Sequence, residues 1–382
     1  MNTSTWTLDE TERADAADLL RELIRRQSPD PPGNEKAVAT YLSDWFCTRG
    51  FDVYIDEFQP ERINLFTRVA GGTKPSLIFS AHMDTMPIGE NAWVHDPFGA
   101  EESDGKVYGR GAADMKSGLA AMAVTALKIK NSGNRLAGDL VLALSAGESS
   151  NCLGAKRMVE RGDLIGAGAI LISEPSSLEL IIAEKGALWL DIIATGEAGH
   201  ASGKNSENAI LKLVNFFSAV QNNPFAGYSH PLLGAASLTI NTIKGGNAIN
   251  LTPDTATATM DIRTVPGMNT EELIRKLQKI SGSSLKFRVR DNKPPVVMDK
   301  DDTFIKTCQK AILSVGREMK PPGGVTYFSD SCILVPALNV PRAIIGPGRL
   351  GMSGQRDEWV SLSDMYTASS MFREIAMSYL KD

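Results

Sequence analysis

Three short, uninterrupted apolar runs stand apart in the first half of the chain: Ser76-Leu77-Ile78-Phe79-Ser80-Ala81, Leu140-Val141-Leu142-Ala143-Leu144, and Ala167 to Ser173. A strand that is apolar on both sides must be covered on both sides. The pattern therefore restricts this part of the chain to an α/β sheet with helices on each face. Ser117 to Lys130, rich in Ala, Leu and Met, reads as a helix between the first two runs. Two more helices come earlier, from Leu8 to about Arg26 and from about Asn34 to Arg49. They are parted by Ser28-Pro29-Asp30-Pro31-Pro32-Gly33, where proline removes the N–H and disfavours the helical region before it.

The style changes near Glu184. Ala187 to Thr195 sets an aliphatic face (Leu188, Leu190, Ile192) against a mixed one (Trp189, Asp191, Ile193), which suits a strand buried mainly on one side. A helix over Glu207 to Val220 follows, then strands over Ser237 to Lys244 and Thr255 to Arg263, a helix over Thr270 to Ile280, and a strand over Leu285 to Val289. That order, βαββαβ, predicts a ferredoxin-like unit with one open sheet face. After Pro294-Pro295 the helix-and-buried-strand style resumes. At 382 residues two compact units are expected. The predicted division is a catalytic domain from residues 1–184 and 293–382, in mixed-sheet α/β style, with a lid inserted at residues 185–292 and Lys185-Gly186 as its hinge.

Charge and composition exclude several roles. The formal net charge of -5 is not gathered into tails, which argues against a nucleic-acid surface. No apolar run reaches the length of a membrane span, so no membrane association is expected. Cys47, Cys152, Cys308 and Cys332 lie far apart without a CxxC pair and read as reduced, mostly buried thiols. With a polar, acidic segment from Met1 to Asp15, they suggest a cytoplasmic address.

In open α/β sheets ligands bind beyond the carboxyl ends of the strands. Here the three runs end in His82-Met83-Asp84, Gly147-Glu148 and Ser173-Glu174-Pro175, and Asp114 sits in the glycine-rich segment Gly109 to Lys116 just before a helix. One histidine with several carboxylates at one sheet edge is the ligand mix of a hydrolytic zinc site. In His82-x-Asp84 the spacing lets the Asp84 side chain hold one ring N–H while the other nitrogen binds metal.

These segments, with Trp93 and Asp96-Pro97-Phe98, Gly199-His200-Ala201-Ser202, Asn241-x-Ile243-x-Gly245-Gly246, Asn250, Pro253, Asp261-Ile262-Arg263 and Gly346-Pro347-Gly348, resemble the aminoacylase and carboxypeptidase superfamily. It includes acetylornithine deacetylase, succinyl-diaminopimelate desuccinylase and glutamate carboxypeptidase. The resemblance implies a metal-dependent amidohydrolase, a homodimer formed through the lid, and a small N-acyl amino acid or peptide as substrate. It also implies roles: His82 and Glu174 as ligands of a first metal, Asp114 as a bridging ligand, Glu148 as general base and His200 as a lid group that steadies the oxyanion. Arg263 and Asn250 are then the groups that hold the substrate.

Two positions depart from that pattern. Ser149 stands where a ligand of the second metal belongs, and Gly354 where the family has a histidine. The four histidines are His82, His95, His200 and His230, so none lies beyond position 230 to take its place. The expectation is thus one catalytic metal per chain, Zn2+ with Mn2+ or Co2+ as substitutes, held by His82, Asp114 and Glu174 with Asp84 behind the histidine. The alternative is a non-hydrolytic relative that binds a ligand or performs altered chemistry in the same pocket. Cys152 reads either as a surrogate soft ligand or as a packed thiol. Asp357 and Glu358 read either as replacement oxygen ligands or as structural acids. Asp330 reads either as lining the pocket or as a turn residue, and His95 and His230 read as loop residues. Ser149 and Ser150 are candidate caps of the following helix.

Overall fold

A computed structural model of the protein describes residues 7–203 and 207–381. It divides into two compact units: residues up to Ile182 with Met298–Gly323 and Ser329 onward form one, and Ala183–Val297 with Gly324–Phe328 form the other.

The first unit is built on a mixed sheet. Its strands lie in the order Val53–Gln59, Arg62–Val69, Gly138–Ser145, Lys74–His82, Ala167–Ile172 and Arg342–Ile344. From Lys74–His82 the sheet runs parallel to both neighbours, while Arg62–Val69 joins the opposite edge of Gly138–Ser145 antiparallel. The chain leaves Lys74–His82 toward Gly138–Ser145 on one side and returns to Ala167–Ile172 on the other. That reversal opens a crevice at the carboxyl ends of these three strands. The helix Ser117–Asn131 is buried along almost its whole length, as its Ala-rich sequence requires, and Leu362–Tyr379 packs beside it. Asp9 caps the first helix, Glu10–Arg25, in a reciprocal box with Glu12, each accepting the other's backbone N–H at 2.9 Å.

The second unit has strands Gly186–Thr195, Ser237–Gly245, Thr255–Thr264 and Leu285–Lys293 with helices Ala209–Val220 and Thr270–Ser281, in the βαββαβ order that the sequence predicts. Its four-stranded antiparallel sheet places Gly186–Thr195 between Thr255–Thr264 and Leu285–Lys293. Leu188, Leu190, Ile192, Ala256, Ala258, Met260 and Ile262 face the helices and form the core with Leu213, Phe216, Leu273 and Leu277. On the other face Asp191 is held by Arg288 and Arg290, each with a bond of 2.6 Å.

Two details differ from the sequence reading. The last strand extends to Lys293, which pairs with Ala187, so the second unit outlasts the expected boundary at 292. It also recruits Gly324–Phe328, because Val325 accepts the Lys185 N–H at 3.2 Å and the Phe328 ring packs edge-on to Trp189. Among the described residues no helix is long and apolar enough to cross a membrane.

Candidate metal centre

His82 is the last residue of its strand and lies opposite Ser145, the last residue of the neighbouring strand; on the other side Ser80 lies opposite Ile172. The apolar runs thus end level, and the residues that follow them meet. His82 Nε2 lies 3.1 Å from Asp114 Oδ1 and 3.6 Å from Glu174 Oε1. His82, Glu148 and Glu174, all buried, offer donor atoms within 4.8 Å of one another. One imidazole nitrogen and several carboxylate oxygens at this spacing are a donor set that could hold a divalent cation of the zinc kind.

The charges point the same way. Burial pushes the Glu148 and Glu174 carboxyls well above the ordinary range; Asp114 adds to the push on both, and His82 opposes it. Burial alone would lower the His82 imidazole, but Asp84, Asp114 and Glu174 raise it well above its usual value. A cluster that confines protons in this way is one whose acids a bound cation would ionise, because the ion is the largest local charge.

The second residue of His82-x-Asp84 behaves differently from expectation. His82 Nδ1 bonds the Asp84 backbone carbonyl at 2.9 Å, while the Asp84 carboxylate lies 3.6 Å from that nitrogen. The carboxylate turns instead to two amides, accepting the Glu148 and Ser149 N–H groups at 3.0 Å each. Two aligned peptide dipoles outcompete one ring N–H for it, so Asp84 orients His82 through its main chain and Glu148 through its side chain.

Asp114 is fixed by an acid that sequence reasoning left ambiguous. Glu358 accepts the N–H groups of Ala113 and Asp114 at 2.8 and 3.0 Å and pairs with the buried Arg110 at 2.7 Å. Asp357 accepts the N–H groups of Val94 and His95. Both acids are therefore engaged in holding loops. The remaining oxygen of Asp114, Oδ2, receives the hydroxyl of Ser353. Among the described residues other than its chain neighbours, the nearest atom to a Cβ built on Gly354, at φ +71°, is Met86 Cγ at 3.9 Å.

Cys152 is buried, 3.8 Å from the Cys332 sulfur, and its thiol points to the Glu148 carbonyl, as a packing residue would. Asp330 is buried and accepts the Ser145 hydroxyl at 2.5 Å, and its charge adds to the push on Glu148. The cap position of the following helix, Leu153–Arg161, is Cys152, which makes no side-chain cap bond, rather than Ser149 or Ser150. The N–H groups of Ser149 and Ser150 donate to Asp84 and Asp30. His95 stacks on Tyr108 at 3.9 Å in its loop. Of the residues expected to touch substrate, His200, Asn250 and Arg263 all belong to the second unit. There His200 Nδ1 bonds the Ser202 hydroxyl at 2.7 Å, the Asn250 carbonyl accepts the Ala201 N–H at 2.9 Å, and Arg263 Nε pairs with Asp261 at 3.0 Å. Asp30, Glu35, Arg62 and Ser353, all part of the surroundings of this centre, carry no motif by which a sequence reader would find them.

A doubly wound sheet whose central strands end in one histidine and several acids defines a class, the hydrolases built around a metal at the strand ends. The pattern of peptidase family M20/M25/M40 matches residues 78–378, and the chain belongs to that family. It is 28% identical to a probable succinyl-diaminopimelate desuccinylase of Staphylococcus aureus (strain MSSA476), over 95% of this chain and 97% of that one. It is also 28% identical to a succinyl-diaminopimelate desuccinylase of Methylobacterium radiotolerans, over 94% and 96%. The fold is shared with an M20 family metallo-carboxypeptidase, Sso-CP2 of Sulfolobus solfataricus, at a TM-score of 0.82 and 16% identity over 97% of this chain and 99% of that one. It is shared too with the Bacillus subtilis YXEP protein, a dinuclear metal binding peptidase, at 0.74 and 17% over 97% and 99%. The chain is accordingly a metal-dependent hydrolase of amide bonds.

Proposed function

We propose that this hydrolase works with one catalytic metal on a small N-acyl amino acid or peptide that bears a carboxylate. The observation that carries the one-metal reading is that Ser149 and Gly354 stand at the two positions of the family's second-metal donors and offer no acidic or imidazole group, while the Ser353 hydroxyl donates to Asp114 Oδ2. His82, Asp114 and Glu174 would hold the ion, taken to be zinc, with manganese or cobalt as substitutes. The chemistry such an ion supplies is Lewis-acid activation of water and of the amide carbonyl.

Glu148 is the base in this reading. Its carboxyl takes the proton from the attacking water and later delivers it to the leaving amine, a double role that suits an acid whose pKa burial raises well above the ordinary carboxyl range. Asp84 holds His82 and the Glu148 backbone in one frame. His200 is assigned to the oxyanion and Arg263 with Asn250 to the substrate's carboxylate and backbone, on their match to the family motifs. The desuccinylase names of the relatives make N-succinyl amino acids the first substrates to try.

Exposed Leu211, Val214, Ile243 and Leu251 on the second unit support a homodimer through that unit, and four free cysteines, three of them buried, support a reducing, cytoplasmic address. The decisive experiment measures metal per chain together with turnover of an N-acyl amino acid panel in zinc, manganese or cobalt. We expect about one ion per chain and hydrolysis that Glu148→Ala abolishes. Two ions per chain sink the one-metal reading, and full activity of Glu148→Ala sinks the mechanism.

A further inference from the structure

The segment that carries Glu148 is gripped amide by amide. Five consecutive N–H groups each donate to a side chain from elsewhere in the first unit. Ala146 donates to Asn64 Oδ1 at 3.1 Å, Gly147 to Glu35 Oε1 at 3.1 Å, Glu148 and Ser149 to the two oxygens of Asp84 at 3.0 Å each, and Ser150 to Asp30 Oδ2 at 3.2 Å. The Ser150 hydroxyl adds a bond of 2.5 Å to Asp30 Oδ1, and Asn64 Nδ2 reaches on to the Gly154 carbonyl at 3.0 Å.

Asp30, Glu35 and Asp84 bring three buried carboxylates together, close enough to suggest a second cation site. The positive charge there is already supplied by the protein. Arg62 lies 3.1 Å from Asp30 and 3.3 Å from Glu35, and a Cβ built on Gly33 or Gly147 would fall 1.2 or 2.4 Å from its guanidinium nitrogens. The guanidinium fills this space and locks the acids that hold the amides.

We infer that Asp30, Arg62 and Asn64, with Glu35, are positioning residues for the base, acting through the backbone of 146–150 to set where the Glu148 carboxyl stands relative to His82 and Glu174. The inference rests on the reading of Glu148 as base. None of these four side chains needs to touch substrate. Their effect is on the geometry of the chemical step, where an error on the order of 1 Å costs about a hundredfold in rate.

The test compares Asp30→Ala, Asn64→Ala and the near-isosteric Asp30→Asn with the parent protein in kcat, KM, metal content and hydrogen exchange of the amides 146–150. Expected in both alanine variants are a kcat lower by about tenfold to a hundredfold, KM within about twofold, unchanged metal content, and exchange faster by about tenfold. Asp30→Asn, which keeps an acceptor oxygen for Ser150, should recover most of both losses. If Asp30→Ala does not fold, Asn64→Ala, which removes no charge, carries the test alone. Parent-like kcat in the alanine variants, or a rise in KM with kcat kept, overturns the inference, as does unchanged exchange. If the parent hydrolyses no amide, the functional reading fails by itself, while exchange still reports whether these side chains grip the segment.

Discussion

Replacing Arg62 by methionine removes one cation from between two acids and should destabilise the first unit in a pH-dependent way. The Arg62 side chain is 6% exposed, that of Asp30 2% and that of Glu35 0%. At an effective dielectric of about 20, each ion pair at this range attracts by about 5 kcal/mol, and desolvation of the guanidinium takes back several. Removing one partner leaves carboxylates buried without a counter-charge, for which about 3–5 kcal/mol is the usual cost. Glu35 makes the cost depend on pH. Burial, with Asp84 adding and Arg62 opposing, already pushes its carboxyl up from 4.5 to about 7. An acid raised on folding binds more protons in the folded state than in the unfolded one. Its contribution is therefore fully present below pH 4.5 and lost as pH rises through about 7, and loss of Arg62 moves that upper limit higher still. The variant should lose about 4 kcal/mol at pH 8 and about 2 kcal/mol at pH 5, read as urea unfolding followed by circular dichroism. Adding Glu35→Gln to Arg62→Met should restore about 2 kcal/mol at pH 8 and little at pH 5, since the pair is in contact and couples. A loss below about 1 kcal/mol at pH 8, or equal losses at the two pH values, would refute the argument that Arg62 neutralises this cluster.

Restoring both departures from the family pattern, Ser149→Asp with Gly354→His, should raise the metal count by one ion per chain, measured by mass spectrometry of the purified protein; a count that stays the same refutes the reading that these two positions are the missing second-metal donors. The histidine has room, and its left-handed backbone at φ +71° adds a strain of about 1 kcal/mol. Glu148→Gln should lower kcat by at least about a hundredfold with metal content unchanged, which separates its role as base from that of a ligand. Alkylation of the native protein should label the exposed Cys47 quickly and the buried Cys152, Cys308 and Cys332 slowly, because burial raises the thiols of Cys152 and Cys308 and hides all three; fast labelling of Cys152 would contradict its packed position.

The strand ends were legible because the two signals there reinforce each other. An uninterrupted apolar run announces a buried strand, and a histidine or acid at its end has nowhere to go but the crevice, so His82, Glu148 and Glu174 could be placed without coordinates. The βαββαβ order of the second unit was legible for the same reason: one-sided burial writes alternation into each strand. The strands Val53–Gln59 and Arg62–Val69 were not seen. Their charged and polar residues (Asp56, Glu57, Arg62, Asn64, Arg68) interrupt any period, and those charges are there for partners distant in the chain.

What the amino-acid sequence by itself determined, then, is the class of fold, the donor types at the strand ends and the absence of two ordinary second-metal donors. Only the tertiary structure decided what those residues do to one another. The Asp84 carboxylate serves amides 64 and 65 residues away rather than the histidine two residues before it, and the Glu148 segment is held by side chains as far as 120 residues off. Hydrogen-bond partners that far apart leave no periodic trace along the chain. Which donor wins an acceptor is settled by distance and burial, and these exist only once the sheet has closed.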